Sequence, residues 1–294
     1  HKDLKAGNNL WLNLTAAQST DAYLSVSGTT LTIALIAPSD TYIVYSWAHD
    51  TDADGIIQCG SLSTMPSAAS LGWEPQFLLI KRTDSTSDWR MYDTMRNWRN
   101  KTDQDSRLLA NLEDAEQTIN DFGEPTATGF NVRNEASGTY IYLAIRRPNK
   151  PPTTGTQVYS HLTRTGSGAV GSTAAVGFAP DLAISQSISA GRAPVWVDRL
   201  RGVKQWLRSD ATSAEGTQTT SGLSSFDMLG VSYTADNTEQ PFAWNNTGEA
   251  KHQRFFKRAP GFFDVVCFQS TPSGDLNFSH GLGVVPKLII HKDR

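Results

Sequence analysis

Leu71-Gly72-Trp73-Glu74-Pro75, followed by Phe77-Leu78-Leu79-Ile80-Lys81, is the first of three versions of one pattern. Val176-Gly177-Phe178-Ala179-Pro180 precedes Leu182-Ala183-Ile184, and Leu282-Gly283-Val284-Val285-Pro286 precedes Leu288-Ile289-Ile290-His291-Lys292. The glycines fall 105 and then 106 residues apart (177 minus 72, 283 minus 177), a regularity that marks a repeated structural unit. Gly takes positive φ without steric cost, and Pro fixes φ at a first strand residue that needs no ladder donor. Gly-x-x-Pro therefore reads as a tight turn into a strand, a folding signal and not a site.

Further echoes extend outward from this strand. His1-Lys2-Asp3 repeats His291-Lys292-Asp293. Trp89-Arg90-Met91-Tyr92-Asp93-Thr94-Met95-Arg96 parallels Trp196-Val197-Asp198-Arg199-Leu200-Arg201 with slips of a residue. Leu109-Ala110-Asn111 ahead of Ala115-Glu116 matches Leu207-Arg208-Ser209 ahead of Ala214-Glu215, and Leu12-Asn13-Leu14 ahead of Ala17-Gln18, a register that places Trp11 with Trp206. Thr41–Trp47 and Thr139–Ile145 are alternating closing runs whose period of two marks half-buried strands, with a less regular version around His252 to Phe256.

Pro-rich Arg146-Arg147-Pro148-Asn149-Lys150-Pro151-Pro152 and Lys257-Arg258-Ala259-Pro260-Gly261 read as linkers. The expected organisation is the C-terminal part of a repeat over 1–50, complete repeats over 55–147 and 156–256, and the N-terminal part of a repeat over 262–294. Units of about 100 residues with many short strands suit a mostly β, jelly-roll-like sandwich. Few helices are expected; Arg107–Gln117 and Leu200–Ala214 are places for a short helical turn or a Ser/Asp-rich loop. The partial repeats leave sheet edges, so 262–294 is expected to complete the sheet of 1–50 within one chain or between neighbours.

The run His280-Gly281-Leu282-Gly283-Val284-Val285-Pro286-Lys287-Leu288-Ile289-Ile290-His291-Lys292, preceded by Phe262-Phe263-Asp264-Val265-Val266, resembles the tandem modules of bacteriophage virion and tail-fibre proteins. In these modules an opening strand leads to His-x-Leu-Gly-x-x-Pro, a Trp-Asp box and a Tyr-rich close. The resemblance spans most of the chain and is weakest where Ser185-Gln186-Ser187 replaces the Lys-Arg or Lys-Asp pair. It implies a non-enzymatic structural protein of a virion, assembled in the host cytoplasm: a tail fibre or another tail or capsid-surface component serving assembly or host attachment. The implied partners are copies of itself in a homo-oligomer, trimers being common in such fibres, other virion proteins and, in the alternative reading, a host surface glycan. No catalytic residue, cofactor or metal ligand is carried over.

A net charge of -3 with 19% charged residues argues against a phosphate-neutralising nucleic-acid surface. No apolar run approaches the length of a membrane helix, the longest being Leu31–Ala37. No signal-peptide pattern follows His1, a start that leaves localisation open from this end. Cys59 and Cys267 have no Cys or His at zinc spacing and read as buried free thiols.

Several constellations are weighed as chemistry. Asp50, Asp52 and Asp54 ahead of Gly55 and Ile57 match the first eight positions of a calcium loop, but the twelfth is Ser61 and not the bidentate Glu, so a solvated acidic turn is favoured. Arg90, Arg96, Arg99 and Lys101 interleave with Trp89, Tyr92 and Trp98 in a way that suits a polyanion or glycan, while Asp88, Asp93, Asp103 and Asp105 neutralise the stretch. Trp89 and Trp196 read as caps on one end of the core, and a carbohydrate-binding module would need Trp89, Trp98 and Trp244 exposed in a shared groove. A polysaccharide-degrading enzyme would draw on Glu113, Asp114 and Glu116 or on Asp236 and Glu239. The histidines form no triad or metal face, and His161 and His280, ahead of Gly-rich turns, suit structural hydrogen bonds.

Overall fold

Gly72, Gly177 and Gly283 share a left-handed backbone, with φ of 79°, 87° and 66°, as the turn reading of Gly-x-x-Pro requires. The computed structural model describes residues 1–4, 8–20, 24–28, 30–33, 44–52, 54–99, 104–218, 222–235, 244–268, 277 and 279–292. The chain divides into unit 1, His1–Pro148, and unit 2, Asn149–Arg294. The boundary lies inside the first Pro-rich linker. The second, Lys257–Gly261, belongs to unit 2, where Lys257 N donates to Val158 O and Ala259 bridges to Phe263.

In unit 1, a hairpin of β1 (Leu24–Ser27) and β2 (Thr30–Ile33) precedes nine strands. They are β3 (Ile57–Ser63), β4 (Ser67–Ser70), β5 (Pro75–Arg82), β6 (Arg90–Asp93), β7 (Gln104–Leu109), β8 (Gln117–Asn120), β9 (Gly123–Thr126), β10 (Gly129–Val132) and β11 (Thr139–Arg146). They form a six-stranded sheet of order β3-β11-β5-β6-β7-β8 and a three-stranded sheet of order β4-β10-β9, all pairs antiparallel.

Unit 2 repeats the arrangement with β12 (Tyr159–Thr165), β13 (Thr173–Ala175), β14 (Leu182–Ser187), β15 (Val195–Asp198), β16 (Gln205–Arg208), β17 (Gly216–Thr217), β18 (Leu223–Phe226), β19 (Gly230–Tyr233) and β20 (Ala250–Phe256). Their orders are β12-β20-β14-β15-β16-β17 and β13-β19-β18. Each strand of the second unit takes the place of the strand nine earlier in the first.

The core of each unit lies between its two sheets. In unit 1, Leu78, Ile80 and Tyr92 face Ala69, Phe130 and Val132, and Trp73, Trp98 and Phe122 are buried with them. Tyr92 stacks on Phe122 at 3.9 Å, while Trp98 and Tyr142 meet the Phe130 ring edge-on at 6.2 and 5.0 Å, arrangements that add to plain burial. Unit 2 builds the same layer from Ala183, Val197 and Phe255 against Ala174, Val231 and Tyr233, with Phe178 and Trp244. The mostly β sandwich class is thus the observed one.

Several local expectations change. β11 lies inside the sheet, between β3 and β5, and is buried on both faces, at Tyr140, Ile141, Tyr142 and Ala144 alike. Arg107–Gln117 and Leu200–Ala214 carry no helix, since each contributes to sheet pairing through β7 and β8 or through β16. The one helical turn among the described residues is the 3-10 turn Gly155–Gln157. Cys59 and Cys267 are not disulfide-bonded and are only half-buried.

The two end segments hold to their own units. Gln18 N donates to Thr83 O and Ser87 N to Thr15 O, and the buried Lys81 donates through Nζ to Thr15 O at 3.1 Å. Burial pushes the Lys81 ammonium below its usual value, an effect that Asp88 opposes. In unit 2, Gly261 N donates to Leu282 O and Lys292 Nζ to Ala211 O.

Candidate functional site

The sheet register fixes which charged groups are equivalent. Leu78 pairs with Tyr92 and Ala183 with Val197, so Asp93 and Asp198 close β6 and β15 at the same place. Asp93 Oδ1 accepts from Met95 N and Arg96 N at 3.0 and 2.9 Å, an Asx turn, and Oδ2 accepts from Arg96 Nε at 2.6 Å. Arg96 Nη1 then donates to Glu116 Oε2 at 2.9 Å. In unit 2, Asp198 Oδ1 accepts from Arg201 N at 3.0 Å, its Oδ2 takes Arg201 Nε, and Arg201 Nη1 reaches Glu215 Oε2 at 3.1 Å.

Asp-x-x-Arg is therefore the true anchor of the sequence box. The slip that aligned Trp89 with Trp196 misplaces the aromatics, because Met91 and not Trp89 holds the position of Trp196. Neither tryptophan caps the core. Trp89 is half-buried and donates through Nε1 to Trp11 O at 2.9 Å. Trp196 pairs across to Ile184 and Leu207, on the face of the sheet away from the core residue Val197.

Burial shapes the electrostatics of the cluster in unit 2. It pushes the Arg201 guanidinium down, but Asp198 and Glu215 more than offset this and hold it above its ordinary value. Arg90 is alike: burial lowers it and Glu135, its ion-pair partner, raises it further.

A charged group particular to unit 2 surrounds Asp181. Its Oδ2 accepts from Arg258 N at 2.7 Å, and its Oδ1 lies 3.5 Å from Nε of both Arg199 and Arg258. Arg199 also donates to Pro180 O and Phe226 O and stacks over the Phe226 ring at 5.1 Å. Burial holds Arg199 below its usual value, partly opposed by Asp181 and reinforced by Arg258. Thr94 N donates to Gln76 O as Arg199 N does to Asp181 O, so Gln76 and Thr94 stand where unit 2 has Asp181 and Arg199. Sequence reasoning missed this cluster: Asp181 follows a Gly-x-x-Pro motif, Arg199 lies in the Asp-Arg box and Arg258 in a Pro-rich linker, but the two arginines stand 18 and 77 positions from Asp181 (199 minus 181, 258 minus 181) and no local spacing ties them together.

The other candidates fall out as follows. Asp50, Asp52 and Asp54 are exposed, with Asp50 Oδ1 accepting from Asp52 N at 2.9 Å. Among the described residues no group of His, Cys, Asp and Glu is gathered as in a metal site. The basic and aromatic residues of 89–99 do not share a surface: Tyr92 and Trp98 are core, Arg90 pairs with Glu135 and Arg96 with Asp93 and Glu116. Asp88 accepts from Asn111, while Asp105 is buried and takes Phe122 N on Oδ2 at 2.8 Å. Lys101 and Asp103 lie outside the described residues.

Trp98 and Trp244 are core residues of different units, so the groove proposed for Trp89, Trp98 and Trp244 is not present. Glu113, Asp114 and Glu116 are exposed, Glu116 tied to Arg96 and Asp114 accepting from Gln117. Asp236 and Glu239 lie outside the described residues. His280 Nδ1 accepts from Leu282 N at 3.3 Å, and His161 is exposed with its ring 5.7 Å from that of His252. No helix among the described residues is long and apolar enough to cross a membrane.

The duplicated sandwich and its duplicated Asp-Arg-Glu cluster define a tandem β-module protein. The chain belongs to the family described as "Domain of unknown function (DUF7483)", whose profile matches residues 1–148 and 154–294. No curated protein and no solved structure matches it.

Proposed function

We propose that this chain is a non-enzymatic structural protein of a bacteriophage particle, a tail fibre or another tail or capsid-surface component that contributes to assembly or host attachment. It is assembled in the host cytoplasm, works as a homo-oligomer and contacts other virion proteins.

The observation that carries the reading is the one-for-one correspondence of nine strands between the units, the signature of modules repeated to extend a surface. The charged groups support it, because Asp93, Arg96, Glu116, Asp198, Arg201 and Glu215 bond to one another and fix turns. The virion assignment itself draws on the sequence resemblance.

Immunogold electron microscopy with antibodies to the purified chain, applied to particles of a phage that encodes it, tests the assignment. Gold on the tail or capsid surface is expected. Absence from purified particles, with the protein abundant in the lysate, would overturn it. Incubation with host surface polysaccharide should release no oligosaccharide; sustained release would instead make it an enzyme.

A further inference from the structure

Among the described strands that end a sheet, β3 and β12 are seven residues long and the others four or fewer. β3 and β12 hold the same place in the two units, and the sheet register sets Tyr159 where Ile57 stands. In unit 1 the outward edge of this strand is closed: Asp50 N donates to Ile57 O at 2.9 Å and Cys59 N to His49 Nδ1 at 3.1 Å. Counted back from the strand, unit 2 has Pro151 and Pro152 at the places of His49 and Asp50 (159 minus 151 and 57 minus 49 are both 8). Proline has no N–H to donate and its ring offers no acceptor, so neither bond can be repeated.

The edge of β12 is open for backbone pairing. Lys257 N donates to Val158 O and Gly166 N to Glu249 O, which turns the even-numbered residues of the strand toward β20. In an antiparallel ladder the alternate residues turn their N–H and C=O the other way, and here these are Tyr159, His161, Thr163 and Thr165. Among the described residues none of them makes a backbone bond along that edge. The usual guards of an edge are missing too. β12 keeps one register with β20 and holds no Pro, Lys, Asp or Glu. Its one Arg turns inward, where Arg164 stacks over the Tyr233 ring and donates to Ser172 and Asn245.

We propose that β12 pairs antiparallel with β12 of a second copy about a two-fold axis at Leu162, closing a dimer through one continuous sheet. The strand is complementary to itself in this register. His161 meets Thr163 of the second copy and Tyr159 meets Thr165, rings against β-branched side chains, each pair exchanging backbone bonds. Arg164 faces Ser160, so no like charges oppose one another. Strand addition of this kind draws affinity from the backbone and register from the alternate side chains. Because one patch is used twice, the contact is isologous and closes at two chains. The inference rests on the homo-oligomer of the proposed function and gives it a surface, independently of the virion assignment.

Sedimentation velocity of the full chain should show monomer giving way to dimer as concentration rises. Thr163→Pro removes an N–H that faces the open edge and no bond of the unit's own ladder. The unfolding midpoint should therefore stay unchanged while dimerisation weakens about tenfold or more. In a background with Cys59→Ser and Cys267→Ser, Leu162→Cys chains should join by a disulfide under mild oxidation, since the facing Cα atoms would lie about 4.5 Å apart, within the roughly 4.4–6.8 Å that a disulfide spans. Ser160→Cys chains should not, because the offset (164 minus 160) separates those Cα atoms by about 13 Å along the strand. Should Thr163→Pro unfold, the two cysteine variants decide alone. Association that persists in a folded Thr163→Pro chain, or a Ser160→Cys disulfide that forms as readily as the Leu162→Cys one, would overturn this pairing and leave the homo-oligomer standing. A chain monomeric at every concentration would overturn both.

Discussion

Arg96 and Arg201 hold equivalent positions 105 residues apart (201 minus 96) and bridge the same Asp and Glu, yet the Arg96 side chain is 27% exposed and that of Arg201 only 4%. The same bonds differ in worth because removing Arg201 leaves Asp198 and Glu215 charged with little water. Arg201→Ala should cost about 3–5 kcal/mol, the range for breaking a buried ion pair. Arg96→Ala should cost about 1 kcal/mol or less. Hydrogen exchange at the amides of β15 and β6 separates the two effects, and equal losses of protection would show that burial does not set the difference.

Asp181 lies between two buried guanidiniums. Asp181→Ala removes the carboxylate they share and the acceptor for Arg258 N, so unit 2 should lose about 3–5 kcal/mol. Gln76→Ala, at the matching place in unit 1, should stay within about 1 kcal/mol. Urea unfolding of the two variants decides this; a loss below about 1 kcal/mol for Asp181→Ala would mean that the cluster is compensated from elsewhere.

Volume is exchanged between the cores. Leu78, Ala144 and Tyr92 sit side by side in unit 1 where unit 2 has Ala183, Phe255 and Val197. Large and small have traded places across adjacent strands. Phe255→Ala should cost about 3–5 kcal/mol through the cavity it opens. Adding Ala183→Leu to that variant should recover part of the loss, with a coupling of about 0.5–3 kcal/mol. Additive costs in the double-mutant cycle would show that the two positions pack independently.

Much of the fold was legible because the repeat is written into backbone requirements. Gly72, Gly177 and Gly283 need a conformation that other residues rarely adopt, so the turn into the strand is visible in the residue type. The same cannot be said of the aromatics. Whether Trp98 and Trp244 are core or exposed cannot be read from their neighbours in the chain, because burial depends on strands far away: Trp98 is packed by Phe130 of β10. The Asp93–Arg96 anchor was visible only as a blurred Trp box, because the flanking tryptophans drew the alignment off register. The link of Asp181 to Arg199 and Arg258 left no trace, since contacts among the turn before β14, the turn after β15 and the turn after β20 obey no local spacing.

Glu249 gives unit 2 a defined acid response. Arg192 hydrogen bonds first, against a smaller opposing effect of burial, and then Lys251 hold its carboxyl at about 2. An unfolded Glu titrates near 4.3, so the folded state binds this proton more weakly than the unfolded one. The stabilisation is therefore complete above about pH 4.3 and is lost as pH falls toward about 2. Glu249→Gln should destabilise unit 2 at pH 7, and the gap from the natural protein should narrow through that window and close near its lower end. Urea midpoints at pH 7, 4 and 3 test this. A gap of constant size across the three values would show that the Gln substitution acts through packing and not through the charge on Glu249.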